Sequence, residues 1–310
     1  MPNWGDVLRE ISKERQDGQV TAQKAVDTVR HRYLGALQKK TKRNIIAYYS
    51  GFLSKPGIVQ QDINDEDKNG FMMAVHKLDK QKGLDLILHT PGGGIAATES
   101  IVNYLHKMFN KDIRAIVPQI AMSAGTMMAC SCKKILMCEH SNLGPIDPHL
   151  NGIPAKGVID EFKRVLREIK RDPTKIKVWE PILRQYRPTF LGQCENAIKW
   201  SNKFVEDHLT TVMFAGDAHA RKKARSITRA LLDYRTNRTH ARHFHLEDCR
   251  KMGLDVDRIE DDPALQDLVL TVHHCYMHAL MNTPAFKVIE NHNGTAFVKQ
   301  QVQVAVPMQQ

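Results

Sequence analysis

The chain has 310 residues, a hydrophobic fraction of 42% and a formal net charge of +11 at pH 7. That length carries one large domain or two small ones, with enough apolar material for a proper core. No apolar run nears the ~20 residues that span a bilayer, and the N-terminal MPNWGDVLREISKER puts charges where a signal peptide needs an apolar stretch. A cytoplasmic protein is therefore expected, with its cysteines (130, 132, 138, 194, 249 and 275) reduced. Cys130-Ser131-Cys132 is the tightest pair, but no second pair completes a zinc set, so these side chains read as small buried hydrophobes. The charge is uneven. Residues 163–242 hold 19 Lys or Arg against 8 Asp or Glu, which is the whole surplus. Such a block reads first as a charged helical face and second as a surface for an acidic partner or nucleic acid. It carries no zinc-finger, RRM or helix-turn-helix pattern.

In chain order, residues 1–40 show helical spacing (Val7, Leu8, Ile11; then Ala25, Val26, Val29, Leu34, Leu37), with Thr21 as a helix cap. They form an arm expected to pack on the domain or on a neighbouring subunit. Asn44–Tyr49 reads as the first strand. Gln60–Asn69 is acidic, yet it lacks the Gly and Glu placement of an EF-hand. It is better read as the acidic start of a helix through Phe71, Met72, Val75 and Leu78. Leu84–Leu88 is a buried strand cut off by Thr90-Pro91 and by Gly92, Gly93 and Gly94, after which a helix begins (Ile95, Ile101, Tyr104, Leu105). The same logic recurs: a strand at Ile116-Val117, a small-residue turn Ala121-Met122-Ser123-Ala124-Gly125-Thr126, a helix start at Met127–Cys130, then a strand at Ile135–Cys138. Helices are expected over 158–169, 181–186, 194–213 and 218–232, without clear strands in 174–235. Gly253 reads as a helix C-cap, residues 262–283 as a further helix, and the tail from Asn291 as poorly ordered or strand-like at an interface.

Two strand–turn–helix units side by side bring their turns together at the carboxyl ends of parallel strands, where open α/β sheets build sites. Glycines let backbone N–H groups face inward, and two inward N–H groups make an oxyanion hole. Ser123 stands at a helix head beside that pocket, the arrangement acyl transfer needs.

PGGG followed about thirty residues later by SAGT resembles the ClpP/crotonase superfamily of serine peptidases. SAGT also resembles its NfeD-type and signal-peptide-peptidase-type members. HTPGG, a VP-x-x-A-x-SAGT segment and Leu143-Gly144-Pro145-Ile146-Asp147-Pro148, in that order, are most similar to the serine dehydrogenase proteinases. The resemblance is strong over 84–150, fainter at 42–52 and 240–256, and largely absent elsewhere. It implies a ClpP/crotonase-like spiral of ββα units with a helical insertion and helical ends: an N-terminal arm (1–40), a core (41–160), a basic insertion (161–238), the end of the core with a C-terminal helix (239–290) and a tail (291–310). It also implies a homo-oligomer acting on peptide or protein substrates without a cofactor. In the mechanism that follows, Ser123 attacks a peptide carbonyl, Gly93 and Ala124 N–H groups hold the oxyanion, and Gly92 and Gly94 permit the turn.

A serine hydroxyl needs a base, and three are open. Lys156, at a helix start behind Pro154, resembles the lysine of the NfeD-type Ser–Lys members. His149, 26 residues after Ser123, is similar in distance to the ClpP histidine, and Asp147 beside it would orient the base or bind substrate. His240 lies near the position of the triad acid. With His243 and His245 it also raises a metal reading, but no acidic or thiol partner is identifiable for zinc, so no metal is expected. Two other functions compete: a crotonase-type enzyme on a CoA thioester, and a scaffold that keeps the fold without chemistry.

Overall fold

The computed structural model describes residues 4–233, 237 and 239–301. The first two helices, α1 (Trp4–Asp17) and α2 (Ala22–Thr41), precede strand β1 (Asn44–Ser50). Thr21 caps α2 as expected, its side chain accepting the Lys24 N–H. Helix α3 (Asp67–Val75) leads to β2 (Leu84–His89), α4 (Ile95–Phe109) to β3 (Ile113–Val117), and α5 (Ala124–Cys130) to β5 (Lys134–Met137), with a two-residue β4 (Ile120–Ala121) just ahead of α5. After β6 (Asn142–Leu143) and the hairpin β7 (His149–Leu150) and β8 (Ile153–Pro154) come α6 (Ala155–Arg171), α7 (Ile176–Leu183), α8 (Phe190–His208), a π-helical turn (Leu209–Met213) and α9 (Ala220–Leu232). The chain closes with α10 (Leu246–Met252), β9 (Val256–Arg258), α11 (Pro263–Asn282), β10 (Ala285–Asn291) and β11 (Ala296–Gln300).

The main sheet has the order β11-β10-β1-β2-β3-β5-β9. β1, β2, β3, β5 and β9 run parallel, and β10 and β11 join antiparallel at the β1 edge. The parallel strands are apolar on both faces because helices cover both. Ile46, Tyr48, Leu86, Leu88, Val117 and Met137 point to one core with Phe71, Ile101, Met128, Phe204 and Ile227 from α3, α4, α5, α8 and α9. The alternate residues Ile45, Ala47, Tyr49, Ile87, Ile116 and Leu136 point to a second core under α2 and α11. This is the expected α/β class, with a helical excursion between β6 and β9. Gly253 ends α10 in the left-handed region, as its sequence context indicates.

Beneath the main sheet runs a second row of short pairings. Thr90, just after β2, bridges Ala121 of β4; Ala121 pairs with Leu143 of β6; Leu143 bridges Phe244. The main strands β2, β3 and β5 are thus each followed by a short second pairing, in the manner of the ββα repeat expected of the spiral.

Of the two readings of the tail, its first part takes the strand-like one. Asn291 is the last residue of β10, and Ala296–Gln300 forms the sheet's edge strand instead of an unpaired end. Residues 302–310 lie outside the described residues. No helix among the described residues is long and apolar enough to cross a membrane. All six cysteines are buried and free.

Two buried ion pairs fasten this C-terminal addition. Asp67, read from sequence as part of the acidic start of α3, is fully buried; it accepts from Lys287 Nζ at 2.9 Å and from the Tyr48 hydroxyl at 2.8 Å. Glu290 on β10 takes Arg30 Nε at 2.6 Å and the Tyr276 hydroxyl at 2.7 Å. Removing one partner strands the other charge in the core, so Lys287→Ala should lose about 3–5 kcal/mol in chemical denaturation. Burial alone would raise the Glu290 carboxyl, but the Arg30 charge and hydrogen bonds from His31 and Arg30 hold it down at about 2, against an ordinary 4.5. Its contribution is therefore complete above the ordinary value and lost as pH falls toward about 2. Denaturation at a series of pH values should show that limb flattened in Glu290→Gln, from a lower neutral-pH stability.

Candidate active site

The four motifs singled out in the sequence meet along the row of short pairings. Thr90 N–H donates to Ile120 O at 3.1 Å, and Met122 N–H returns to Thr90 O at 3.0 Å. This places the glycine turn after β2 directly against the turn before α5. Gly92, at φ +103°, is the contact point: a Cβ there would stand 2.6 Å from Ser123 Cβ and 2.8 Å from Met122 O. Only glycine adopts that backbone so close to its neighbour.

The three glycines do different things. Gly92 N–H donates to Thr90 Oγ1 at 3.1 Å, and its carbonyl accepts Ile63 N–H at 2.7 Å. Gly94 N–H donates to Ile63 O at 2.9 Å. Gly93, between them at φ +157°, has no room for a side chain, because a Cβ would run into the Ile63 backbone. Among the described residues, the N–H groups of Gly93 and Ala124 donate to no protein acceptor. These are the two amides proposed from sequence for an oxyanion. The role of Ile63, which pins the loop from a segment thirty residues upstream, has no sequence signal beyond its being apolar in a polar stretch.

Ser123 is the N-cap residue of α5, with φ +52° and ψ −116°. A non-glycine residue there carries strain of about 1–3 kcal/mol, and such strain gathers at functional positions. Its hydroxyl makes no capping bond, and the residue is only partly buried. A seven-residue helix adds little field of its own. α5 itself is wholly buried. Thr126 holds it in place, donating to Ala121 O at 2.8 Å and accepting Gly144 N–H at 2.9 Å.

The LGPIDP segment supplies the next group. Leu143 and Phe244 exchange both backbone hydrogen bonds, at 2.9 and 3.0 Å, Ile146 N–H donates to Leu231 O, and Ser201 Oγ donates to Ile146 O. Pinned between the end of the core and the helical insertion, Asp147 is 2% exposed. Its two carboxylate oxygens hold two imidazoles: Oδ1 lies 2.8 Å from His240 Nδ1 and Oδ2 lies 3.1 Å from His149 Nε2. The rings are 4.3 Å apart between centroids. His149 and His240 line a cleft of about 610 Å³ together with Pro91, Met122 and Phe52. Pro91 and Met122 are the residues immediately before Gly92 and Ser123. The same carboxylate and imidazole atoms lie within 4.8 Å of one another, a spacing a transition metal also accepts. The acidic partner that sequence reading did not find for His240 is thus Asp147, 93 residues away, with the Leu143–Phe244 bridge joining their two segments.

Lys156 is placed differently. It opens α6, pairs with Asp160 at 3.1 Å, and lines a separate hollow of about 870 Å³ with Lys163, Lys199, Arg225 and Arg229. Asp147 lies between the two spaces, lining the hollow while its carboxylate holds the cleft imidazoles. His243 lines the cleft, and His245 instead caps α10. Behind the glycine turn, His89 is fully buried against Tyr49, Phe52 and His273. Burial pushes it down to about 3, so it is a neutral packing group.

A family model described as ClpP-like SDH-type serine proteinase matches residues 18–291. Two uncharacterized proteins of Methanocaldococcus jannaschii are similar, one 32% identical over 64% of this chain and the other 27% over 66%. The chain spans 62% of the length of each of these relatives.

Gly93→Ala should force the loop off Ile63. The positive φ adds about 1–3 kcal/mol of backbone strain to that steric cost, so thermal unfolding should shift down by several degrees. An unchanged midpoint would contradict the close approach described for Gly93.

Proposed function

The chain belongs to the ClpP-like SDH-type serine proteinases, and on that premise we propose that it hydrolyses peptide bonds through an acyl-enzyme on Ser123. The observation that carries this reading is the pair of unpaired amides, Gly93 and Ala124, flanking a strained serine with a free hydroxyl. A scissile carbonyl set over Ser123 has its oxygen between those amides, which stabilise the charge that develops as Oγ attacks.

The base is His240. Its Nδ1 is spent on the buried Asp147 carboxylate, which fixes the tautomer and leaves Nε2, at the tip of the ring, to take the serine proton. His149 is anchored the opposite way, through Nε2, leaving the nitrogen beside its own Cβ. It shares the carboxylate that orients His240. Having received the proton, His240 delivers it to the leaving amine; water then attacks the acyl group with the same imidazole as base. Lys156, engaged with Asp160 outside the cleft, has no part in these steps.

Assembly into a homo-oligomer belongs to the same reading. Leu166 and Val178, 69% and 66% exposed on α6 and α7, offer apolar surface for it.

A fluorophosphonate probe should label one residue per chain in the wild type and none in Ser123→Ala, whose peptidase activity should fall by at least about 10³-fold. Labelling that survives Ser123→Ala sinks the nucleophile assignment. His240→Ala should lower kcat by about 10²–10⁴-fold, whereas Lys156→Met should leave kcat within a few-fold. The reverse pattern would move the base to the lysine.

A further inference from the structure

The carboxyl ends of two neighbouring strands carry a second set of donor atoms, on residues the Ser123 cleft does not use. β5 and β9 are paired in register, Met137 opposite Arg258. Cys138 and His140 follow β5 directly, and Glu260 lies in the single 3-10 turn Ile259–Asp261 that follows β9. The sheet therefore delivers all three to one place. The turn is fixed further by Glu139 N–H donating to Glu260 Oε1 at 3.0 Å and by Arg258 pairing with the Glu139 carboxylate at 2.7 Å. One ligand atom from each residue, the Cys138 sulfur, a His140 ring nitrogen and a Glu260 carboxylate oxygen, all lie within 4.8 Å of one another. Cys138 is fully buried and Glu260 half-buried, while His140 is exposed.

This cluster is incompletely satisfied as protein alone. Glu260 Oε2 is shut off from solvent, and among the described residues it has no hydrogen-bond partner. The nearest guanidinium on the adjoining strand, Arg258, is spent on Glu139 and Asp261. A buried carboxylate oxygen without a donor is costly, and a cation removes that cost. We propose that Cys138, His140 and Glu260 bind one divalent cation of the zinc class, with the fourth position open on the His140 side. The donor types select the metal. Sulfur and imidazole favour zinc and its neighbours, whereas magnesium and calcium take oxygen sets. On binding, the sulfur gives its proton to solvent and its electron pair to the metal, with no change of oxidation state.

The position gives the metal a structural role. Cys138 N–H donates to Ser141 Oγ at 2.8 Å, and that hydroxyl in turn donates to Val117 O at the end of β3. A metal here clamps β5 to β9 and, through Ser141, braces the strand end that runs into the turn carrying Ser123. The inference is independent of the peptidase reading, since neither its residues nor its readout involves Ser123.

The test uses the full chain and cobalt(II) alone, because cobalt reports thiolate ligation by a charge-transfer band in the near ultraviolet. The expected result is that band at one equivalent per chain, displaced by zinc(II), with a rise in the thermal unfolding midpoint. The band should vanish in Cys138→Ser, and metal affinity should fall by at least about tenfold in His140→Ala and Glu260→Gln. His140 is exposed, so its replacement leaves the fold intact even if Cys138→Ser does not fold. The double variant His149→Ala/His240→Ala should keep the band, which separates this site from the Asp147 cluster. Three results each overturn the proposal: no thiolate band in the wild type, a band that survives Cys138→Ser, or cobalt binding lost only in the His149/His240 variant.

Discussion

The structure depends on the row of short pairings that runs from Ile63 through the glycine turn, Thr90, Ala121 and Leu143 to Phe244. The main sheet alone would leave four loops at its carboxyl edge with no fixed relation to one another. The second row pairs them backbone to backbone, so each loop's conformation is set by its neighbour. Gly93 is caught between two hydrogen bonds with Ile63, whose N–H donates to Gly92 O and whose carbonyl accepts Gly94 N–H, which is why its own N–H is left over. Gly92 is pressed against Ser123 so closely that no other residue fits. In the proposed reading, the anion pocket is a by-product of how the loops are paired and is set before any substrate arrives. Such preorganisation is what makes amide donors effective, because nothing has to reorient as charge develops.

The same pairing explains where the buried charges sit. Asp147 can be almost fully enclosed because two imidazoles satisfy its oxygens: His149 is two residues along the same segment, and His240 comes from the segment that the Leu143–Phe244 bridge ties to the LGPIDP loop. At the opposite edge, Asp67–Lys287 and Arg30–Glu290 join β10 to α3 and α2. Each is a long-range link, 220 or 260 residues apart in sequence. They close the sheet edge beside β1 and make the N-terminal helices part of the body. In both places a charge inside the protein marks a point where distant segments must meet in one register.

Much of this was legible in the sequence. The strands at 44–50, 84–89, 113–117 and 134–137 are short apolar runs ended by turn residues, and the helices carry clear periodicity. Gly93, Ala124 and Ser123 could be named because a glycine turn and a small-residue turn after successive parallel strands have few other uses. Other features left no local trace. Ile63 acts through its backbone, so its side chain says nothing about the loop it pins. Asp67 looks like any first-turn acid, and its burial follows from Lys287 at the far end of the chain. His240 reads as unpartnered, and Asp147 as a neighbour of His149 alone, because sequence spacing carries no information about a bridge between residues 143 and 244. Lys156 sits behind a proline at a helix start, as the Ser–Lys resemblance requires. In the structure, however, Lys156 pairs with Asp160 and lines the basic hollow, not the cleft that His149 and His240 line.

The central claim is that the Gly93 and Ala124 amides form one pocket for the oxygen of a carbonyl attacked by Ser123. The most direct measurement is a crystal structure of the chain after reaction with a peptide aldehyde or boronate. The account predicts a covalent bond to Ser123 Oγ and an adduct oxygen within about 3 Å of both amide nitrogens. An adduct on another residue, or one on Ser123 whose oxygen points into solvent with both amides still unpaired, would contradict it.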